Sequence, residues 1–432
     1  MPYELGQHAP RRVAVIGGGI SGMGAAHFLA ETDRVVLFEA GARLGGHART
    51  VLAGKRGDQP VDTGFIVLNY VNYPELTRLF EALDVPLAKS DMGFGASIAG
   101  GRLEYGLRGL PAIFAQKKNA VDPRFLRMLR DIVRFNREAH DAAQGHDLTI
   151  GDLLTQLKTG SWFRDYYLLP FSGAIWSTPT EKILDFPARA LLDFFKNHAL
   201  LNYTGQHQWY TVEGGSIQYV SRLQRSLEDR GVEIRTNAGV RAVRRTATGV
   251  EVRSSGADWE AFDDVVFATH SDVTLSLLSD ATGVEQTALS AIKYQPNRAV
   301  LHADERLMPR RKACWSSWVY TEPARKTSNR IGLTYWMNSL QPIPKEDPLF
   351  VTLNATQPIR EELIYDEVTF SHPLYDLAAL AAQDTLRAMN GTLNTWFCGA
   401  WMRNGFHEDG LQSALDVARA MATRPAYQMA AE

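Results

Sequence analysis

The chain has 432 residues, 45% of them hydrophobic, 22% charged and 10% aromatic; this is globular composition, longer than one hydrophobic core usually fills, and it predicts about two domains. Forty-six Lys and Arg against 48 Asp and Glu leave a formal charge of -2, so no basic surface points to nucleic acid and no acidic excess to disorder. The two cysteines, Cys314 and Cys398, stand apart, which excludes a disulfide framework and a cysteine zinc site; no metal is expected.

Met1 to Arg12 is polar, without the apolar stretch of an export signal, and no apolar run reaches the roughly 18 residues of a membrane span. A cytoplasmic protein is expected. Arg12 to Ile16 reads as a short buried strand ending at Gly17-Gly18-Gly19, followed by small-residue helical sequence to Glu31 and a second apolar run, Val35 to Phe38. That is a βαβ opening. From Tyr73 to Leu201 the pattern is mostly helical, and the character returns to α/β at Val212-Glu213-Gly214-Gly215-Ser216. A helix is predicted over 216 to 230 from the spacing of Ile217, Val220, Leu223 and Leu227, with Gly231 as its stop. Strands follow at 232 to 235, 240 to 244, 250 to 253 and 264 to 270. Residues 271 to 385 read as β-rich, and Thr395 to Ala400 as a strand leading into a helix that starts near Gly410.

The expected fold is therefore α/β: a discontinuous Rossmann-like dinucleotide domain (1–70, 205–270 and 386–432) with an inserted helical and β-sheet substrate domain (71–204 and 271–385). Gly17, Gly19 and Gly22 satisfy G-x-G-x-x-G between strand and helix, with Ile20 and Ser21 in the same turn and Glu39 ending the second strand. The first glycine turns the chain, the second admits the pyrophosphate and the third lets helix pack on strand. Glu39 is placed to take ribose hydroxyls, which suits NAD and FAD alike.

Arg43-Leu44-Gly45-Gly46-His47-Ala48-Arg49-Thr50 resembles the R-x-G-G-R-x-x-T segment of the FAD-dependent amine oxidase and phytoene desaturase superfamily, with His47 in place of the usual Arg. Cys398 to Ala414, containing Gly399 and Asp409-Gly410-Leu411, is similar to the C-terminal flavin segment of that superfamily. The resemblance implies noncovalent FAD held by Gly17, Gly19, Ile20, Ser21, Gly22, Glu39, Ala40, Arg43, Gly45, Gly46, His47, Arg49, Val240, Gly399, Asp409, Gly410 and Leu411. Over nearly the whole length the chain resembles one branch, associated with cyclopropane-fatty-acid synthases, that includes the methyl-fatty-acid desaturation of furan fatty acid biosynthesis.

That resemblance implies hydride transfer from a methyl-branched monounsaturated acyl chain to flavin N5, giving a conjugated methyl diene, with dioxygen as electron acceptor. Aromatic faces stabilise the allylic cation such a transfer creates, and Trp176, Tyr335, Trp336 and Trp401 are the expected substrate-lining residues. A proton must also leave, and His407, with Glu408 and His302 as further candidates, is the expected base. Leu411 stands where amine oxidases often carry the tyrosine of an aromatic cage, which favours an apolar substrate. An amine or other small-molecule oxidase, a double-bond isomerase and a lipid-binding protein with a structural flavin are the competing readings.

Between Leu107 and His140, Arg108, Lys117, Lys118, Arg124, Arg127, Arg130, Arg134 and Arg137 face only Asp122, Asp131 and Glu138, a local charge of +5. Interspersed Leu, Ile, Phe and Met give the segment the make-up of a helix on an anionic membrane surface, on the inner face of the membrane; a solvated basic face over the core is the alternative.

Overall fold

In the computed structural model residues 10–144, 148–176, 183–197, 207–324 and 332–424 are described. Five short strands form one parallel sheet in the order Glu233–Arg235, Arg34–Phe38, Arg12–Ile16, Asp264–Phe267, Thr395–Phe397. The central runs over residues 13–16, 35–38 and 265–267 are apolar because both faces of a parallel sheet are covered: Val13, Val15, Val266 and Trp396 pack to one side, and Ala14, Ile16, Val265 and Phe397 to the other. The strands come from the start, middle and end of the sequence.

The helix Ile20–Leu29 leaves the first strand and lies against the C-terminal helix His407–Thr423. Their approach leaves no room for a side chain at Gly24, where a Cβ would meet Leu411 Cδ1 at 2.6 Å. The expected helix over 216 to 230 is observed as Ile217–Asp229, with Tyr219, Val220, Leu223 and Leu227 buried.

A second, seven-stranded sheet runs Ile364–Leu374, Lys293–His302, Phe350–Leu353, Leu333–Trp336, Trp318–Thr321, Phe94–Ile98, Leu103–Gly106. Its neighbours are antiparallel except Trp318–Thr321 beside Phe94–Ile98. The helical reading of 73 to 201 therefore fails over part of its length. Gly93, Gly95, Gly100 and Gly101 break that stretch around the hairpin of Phe94–Ile98 and Leu103–Gly106, and Phe94–Ile98 joins the sheet through Trp318–Thr321, more than 200 residues downstream, where local periodicity carries no information. Leu87–Ser90 is a further strand, paired with Trp209–Val212, while Pro123–Ala142 is helical as read, capped by Asp122 and buried along Phe125, Met128, Ile132, Phe135 and Ala139.

The two sheets are tied through Asp62. Its buried carboxylate accepts from Thr50 Oγ1 at 2.6 Å, from the Ser216 hydroxyl at 2.7 Å and from Gln341 Nε2 at 3.0 Å. Burial raises its pKa to about 6 against these stabilising donors. The Val212-Glu213-Gly214-Gly215-Ser216 segment is thus built to deliver Ser216 to Asp62; Gly215 has φ +86°, and a Cβ there would meet Thr50 at 2.5 Å.

Candidate functional site

The parallel register brings four chain reversals to one edge of the first sheet. Gly17 N donates to the Phe38 carbonyl, Ala268 N to Ile16 and Cys398 N to Phe267, so the loops at 17–22, 39–46, 268–270 and 398–407 converge beyond the strands' carboxyl ends. That edge is where open α/β sheets bind ligands. A cavity of about 1150 Å³ begins there and runs to the second sheet. It exceeds the space one small ligand needs.

At the first end the glycines divide their tasks. A Cβ on Gly22 would lie 1.7 Å from the Gly17 carbonyl oxygen, so that glycine is required by packing. A Cβ on Gly19 would meet nothing nearer than Gly46 Cα at 4.0 Å; Gly19 and Gly46 hold an open cradle where backbone can approach a ligand. Glu39 accepts from Gly18 N at 2.7 Å and Gly41 N at 2.6 Å, one bond to each oxygen, which leaves a lone pair on each for a diol. Gly17, Gly19, Ile20, Ser21, Glu39, Gly45, Gly46, His47 and Gly399 line this end.

The second half is walled by apolar and aromatic side chains, among them Phe94, Leu129, Ile132, Tyr167, Phe171, Trp318, Tyr335 and Phe370. Among the described lining residues the only carboxylate is Glu39, at the opposite end. Imidazoles stand between the halves. His47 stacks on Phe370 at 4.8 Å between centroids, with His270 at 5.7 Å and His372 at 5.8 Å. Burial, with repulsion from the neighbouring imidazoles, pushes His47 down to about 3 and His372 to about 4, so both are neutral near pH 7.

His407 also lines the cavity, stacked on Phe65 at 3.9 Å, with Nε2 2.6 Å from the Tyr219 hydroxyl. Burial pushes it down to about 3. A nitrogen engaged by a phenol on a ring so reluctant to charge is better suited to hold the loop than to accept a proton.

Several expected site residues lie away from the cavity wall. His302 is inside the second sheet, bonded to Thr352 Oγ1 at 2.7 Å and to Asp304 N at 3.0 Å, which occupies both ring nitrogens. Glu408 caps the helix Pro74–Ala82, accepting from Glu75 N and Leu76 N, both at 2.9 Å. The last helix begins at His407 rather than Gly410, and Asp409 caps it by accepting from Phe406 N at 2.9 Å. Leu411 is core packing, Gly410 abuts Ser21, and Ala40 and Val240 flank the parallel sheet without reaching the wall. Arg43 donates to the loop carbonyls of Leu44, Gly46 and Ala48, and Arg49 is paired with Asp366, so both shape the loop around Gly45 and Gly46.

Trp336 packs on Trp315 outside the cavity, and Trp401 borders the cofactor end, donating to the Thr269 carbonyl at 2.9 Å. Tyr335 lines the cavity as expected. Trp176 ends the helix Leu169–Trp176, and its side chain lies outside the described residues. Sequence reasoning missed Tyr167, Phe171, Trp318, Phe370, His372 and Arg108. No motif marks them, because each is placed by long-range packing.

The first end fits a dinucleotide-linked flavin. Its cradle is open at Gly19, the helix N-terminus behind it has no side-chain cap, and the buried Tyr375 hydroxyl lines the wall near Gly405 with no protein partner. Gly19→Ala should purify with little flavin and keep the melting temperature of the flavin-free wild type, whereas Gly22→Ala should lose about 2 kcal/mol or more of stability. Thermal melts and the flavin-to-protein absorbance ratio check both; full flavin occupancy in Gly19→Ala would contradict the assignment of the cradle.

The fold recurs in solved structures. A CLA-producing fatty acid isomerase from P. acnes superposes with a TM-score of 0.69 at 15% identity, over 96% of this chain and 99% of that one. Putrescine oxidase bound to putrescine gives 0.70 at 14%, over 96% and 99%. Cyclohexylamine oxidase from Brevibacterium oxydans gives 0.67 at 14%, over 96% and 100%. No curated protein matches the sequence. The sequence profile of flavin containing amine oxidoreductases matches residues 20–348, and with most of the chain inside that match, the protein belongs to the flavin containing amine oxidoreductase family.

Proposed function

We propose that this FAD-dependent oxidoreductase desaturates a methyl-branched, unsaturated fatty acyl chain to a conjugated methyl diene. The observation that carries the reading is the apolar half of the cavity, whose described walls hold aromatic faces and no carboxylate. A cationic amine would be desolvated there without a counter-ion, at a cost of several kcal/mol, whereas a neutral acyl chain gains by burial. Bound FAD would supply the two-electron acceptor for a hydride leaving the chain.

The protein's own residues would do the rest. Tyr167, Phe171, Trp318 and Tyr335 line the space the chain would occupy, and aromatic rings there can stabilise positive charge developing beside the methyl-bearing carbon. The apolar walls exclude water that would trap such a cation. The neutral imidazoles His47, His270 and His372 on the cavity wall are the available acceptors for the departing proton. The cofactor is noncovalent in this reading, since Cys398 is fully buried off the cavity wall, with its thiol pushed up to about 12.

Delivery of the chain from an anionic bilayer completes the proposal. Helix Pro123–Ala142 buries its main apolar face, so it does not lie in lipid along that face. Its outer side nonetheless exposes Leu126 and Val133 beside Arg130, with Leu110 and Val121 nearby in sequence, also exposed. Arg124 and Arg127 belong to the same surface but are paired with Asp122 and Asp131, and Arg134 reaches Asp131 at 3.9 Å. Among the described residues no helix is long and apolar enough to cross a membrane, so the contact would be peripheral.

Under anaerobic conditions a methyl-branched monounsaturated acyl chain should bleach the flavin, and air should restore the colour with one new double bond per cycle. Rapid bleaching by a primary amine, with none by the acyl chain, would replace this reading with an amine oxidase. Rearrangement of the double bond without any electron acceptor would replace it with an isomerase. In vesicle sedimentation the protein should favour anionic over neutral lipid and lose that preference in high salt; equal recovery, unchanged by reversing Arg127 and Arg130, would remove the membrane step.

A further inference from the structure

Residues that both line the cavity and reach solvent mark its openings, and in the second half these are Arg108, Gly109 and Val133. Arg108 is the only lysine or arginine among the described lining residues. Its guanidinium pairs with Asp91, both side chains partly exposed, while its stem lies over Gly93, where an added Cβ would come within 2.9 Å of Arg108 Cδ. Elsewhere on the wall of the same cavity, Asn136 has a buried Oδ1 with no partner.

We propose that Arg108 anchors the anionic end of the acyl-chain substrate at the mouth of the cavity. The inference rests on the acyl-chain reading and adds what holds the chain's polar end. A chain threaded inward through this mouth leaves its charged group at the rim, beside Arg108, the one lysine or arginine of the described lining. An exposed ion pair such as Arg108 with Asp91 is worth little, so a ligand anion can take the guanidinium while Asp91 turns to water. The planar fork of arginine matches a carboxylate and a phosphate equally. The anion is therefore either the carboxylate of a free fatty acid or the phosphate of a phospholipid carrying the chain.

The test is equilibrium binding to the flavin-loaded protein, read by perturbation of the flavin spectrum. Three probes share one monounsaturated C18 chain: the free acid, its methyl ester and a phospholipid bearing it. In the wild type, the acid or the phospholipid should bind roughly tenfold or more tightly than the ester; whichever gains identifies the source of the anion. Arg108→Gln should bring that charged probe to the affinity of the ester and leave the ester unchanged, Arg108→Lys should restore part of the difference, and Asp91→Asn should tighten the charged probe. Equal binding of ester and charged probes, or no change for the charged probe in Arg108→Gln, overturns the anchor and leaves the acyl-chain reading intact. Failure of all three probes to bind overturns the acyl-chain reading and the anchor with it.

Discussion

The structure depends on one close approach of backbone to backbone. Gly22 must sit against the Gly17 carbonyl for the first helix to start where it does, and only that start leaves the space at Gly19 that Gly46 faces from the returning loop. A side chain at either packing position would push helix from strand. The parallel register then places the turns after Phe38, Phe267 and Phe397 around the same opening. The helix N-terminus, Glu39 and the Thr269–Trp401 contact all derive their positions from this turn.

The second constraint is the junction at Asp62, where three separated segments meet on one carboxylate. It fixes the second sheet over the glycine turn, so that a polar, backbone-lined space continues directly into an aromatic one. The boundary between them is made of neutral imidazoles. Burial beside His270 and His372 keeps His47 uncharged. A permanent cation at that position would face the apolar half; an imidazole leaves it electrically quiet, which suits the hydrocarbon chain proposed for it.

Local features were legible in the sequence. The G-x-G-x-x-G turn, Glu39 and the helix over 217–229 follow from short-range rules about glycine, strand ends and helical spacing, and they stand where expected. The second sheet was only partly legible: Phe94–Ile98 and Leu103–Gly106 lie in a stretch read as helical, and the pairing that joins this hairpin to the sheet, Phe94–Ile98 with Trp318–Thr321, is remote. Charged residues were less legible. Arg43, Arg49 and Asp409 read as cofactor ligands and Glu408 as a candidate base; in the structure each satisfies backbone groups or a paired ion within the fold. Arg108 carries no motif at all, and only tertiary packing puts it at the cavity mouth.

The central claim is that one cavity holds a flavin at its glycine end and an acyl chain at its aromatic end. Native mass spectrometry of the purified protein, followed by solvent extraction, tests it most directly. The account predicts a mass increment of one FAD released intact on denaturation, together with a co-purifying lipid whose acyl chain is unsaturated. A protein that carries FAD but extracts with an amine, or with no lipid after exposure to methyl-branched acyl chains, would contradict it.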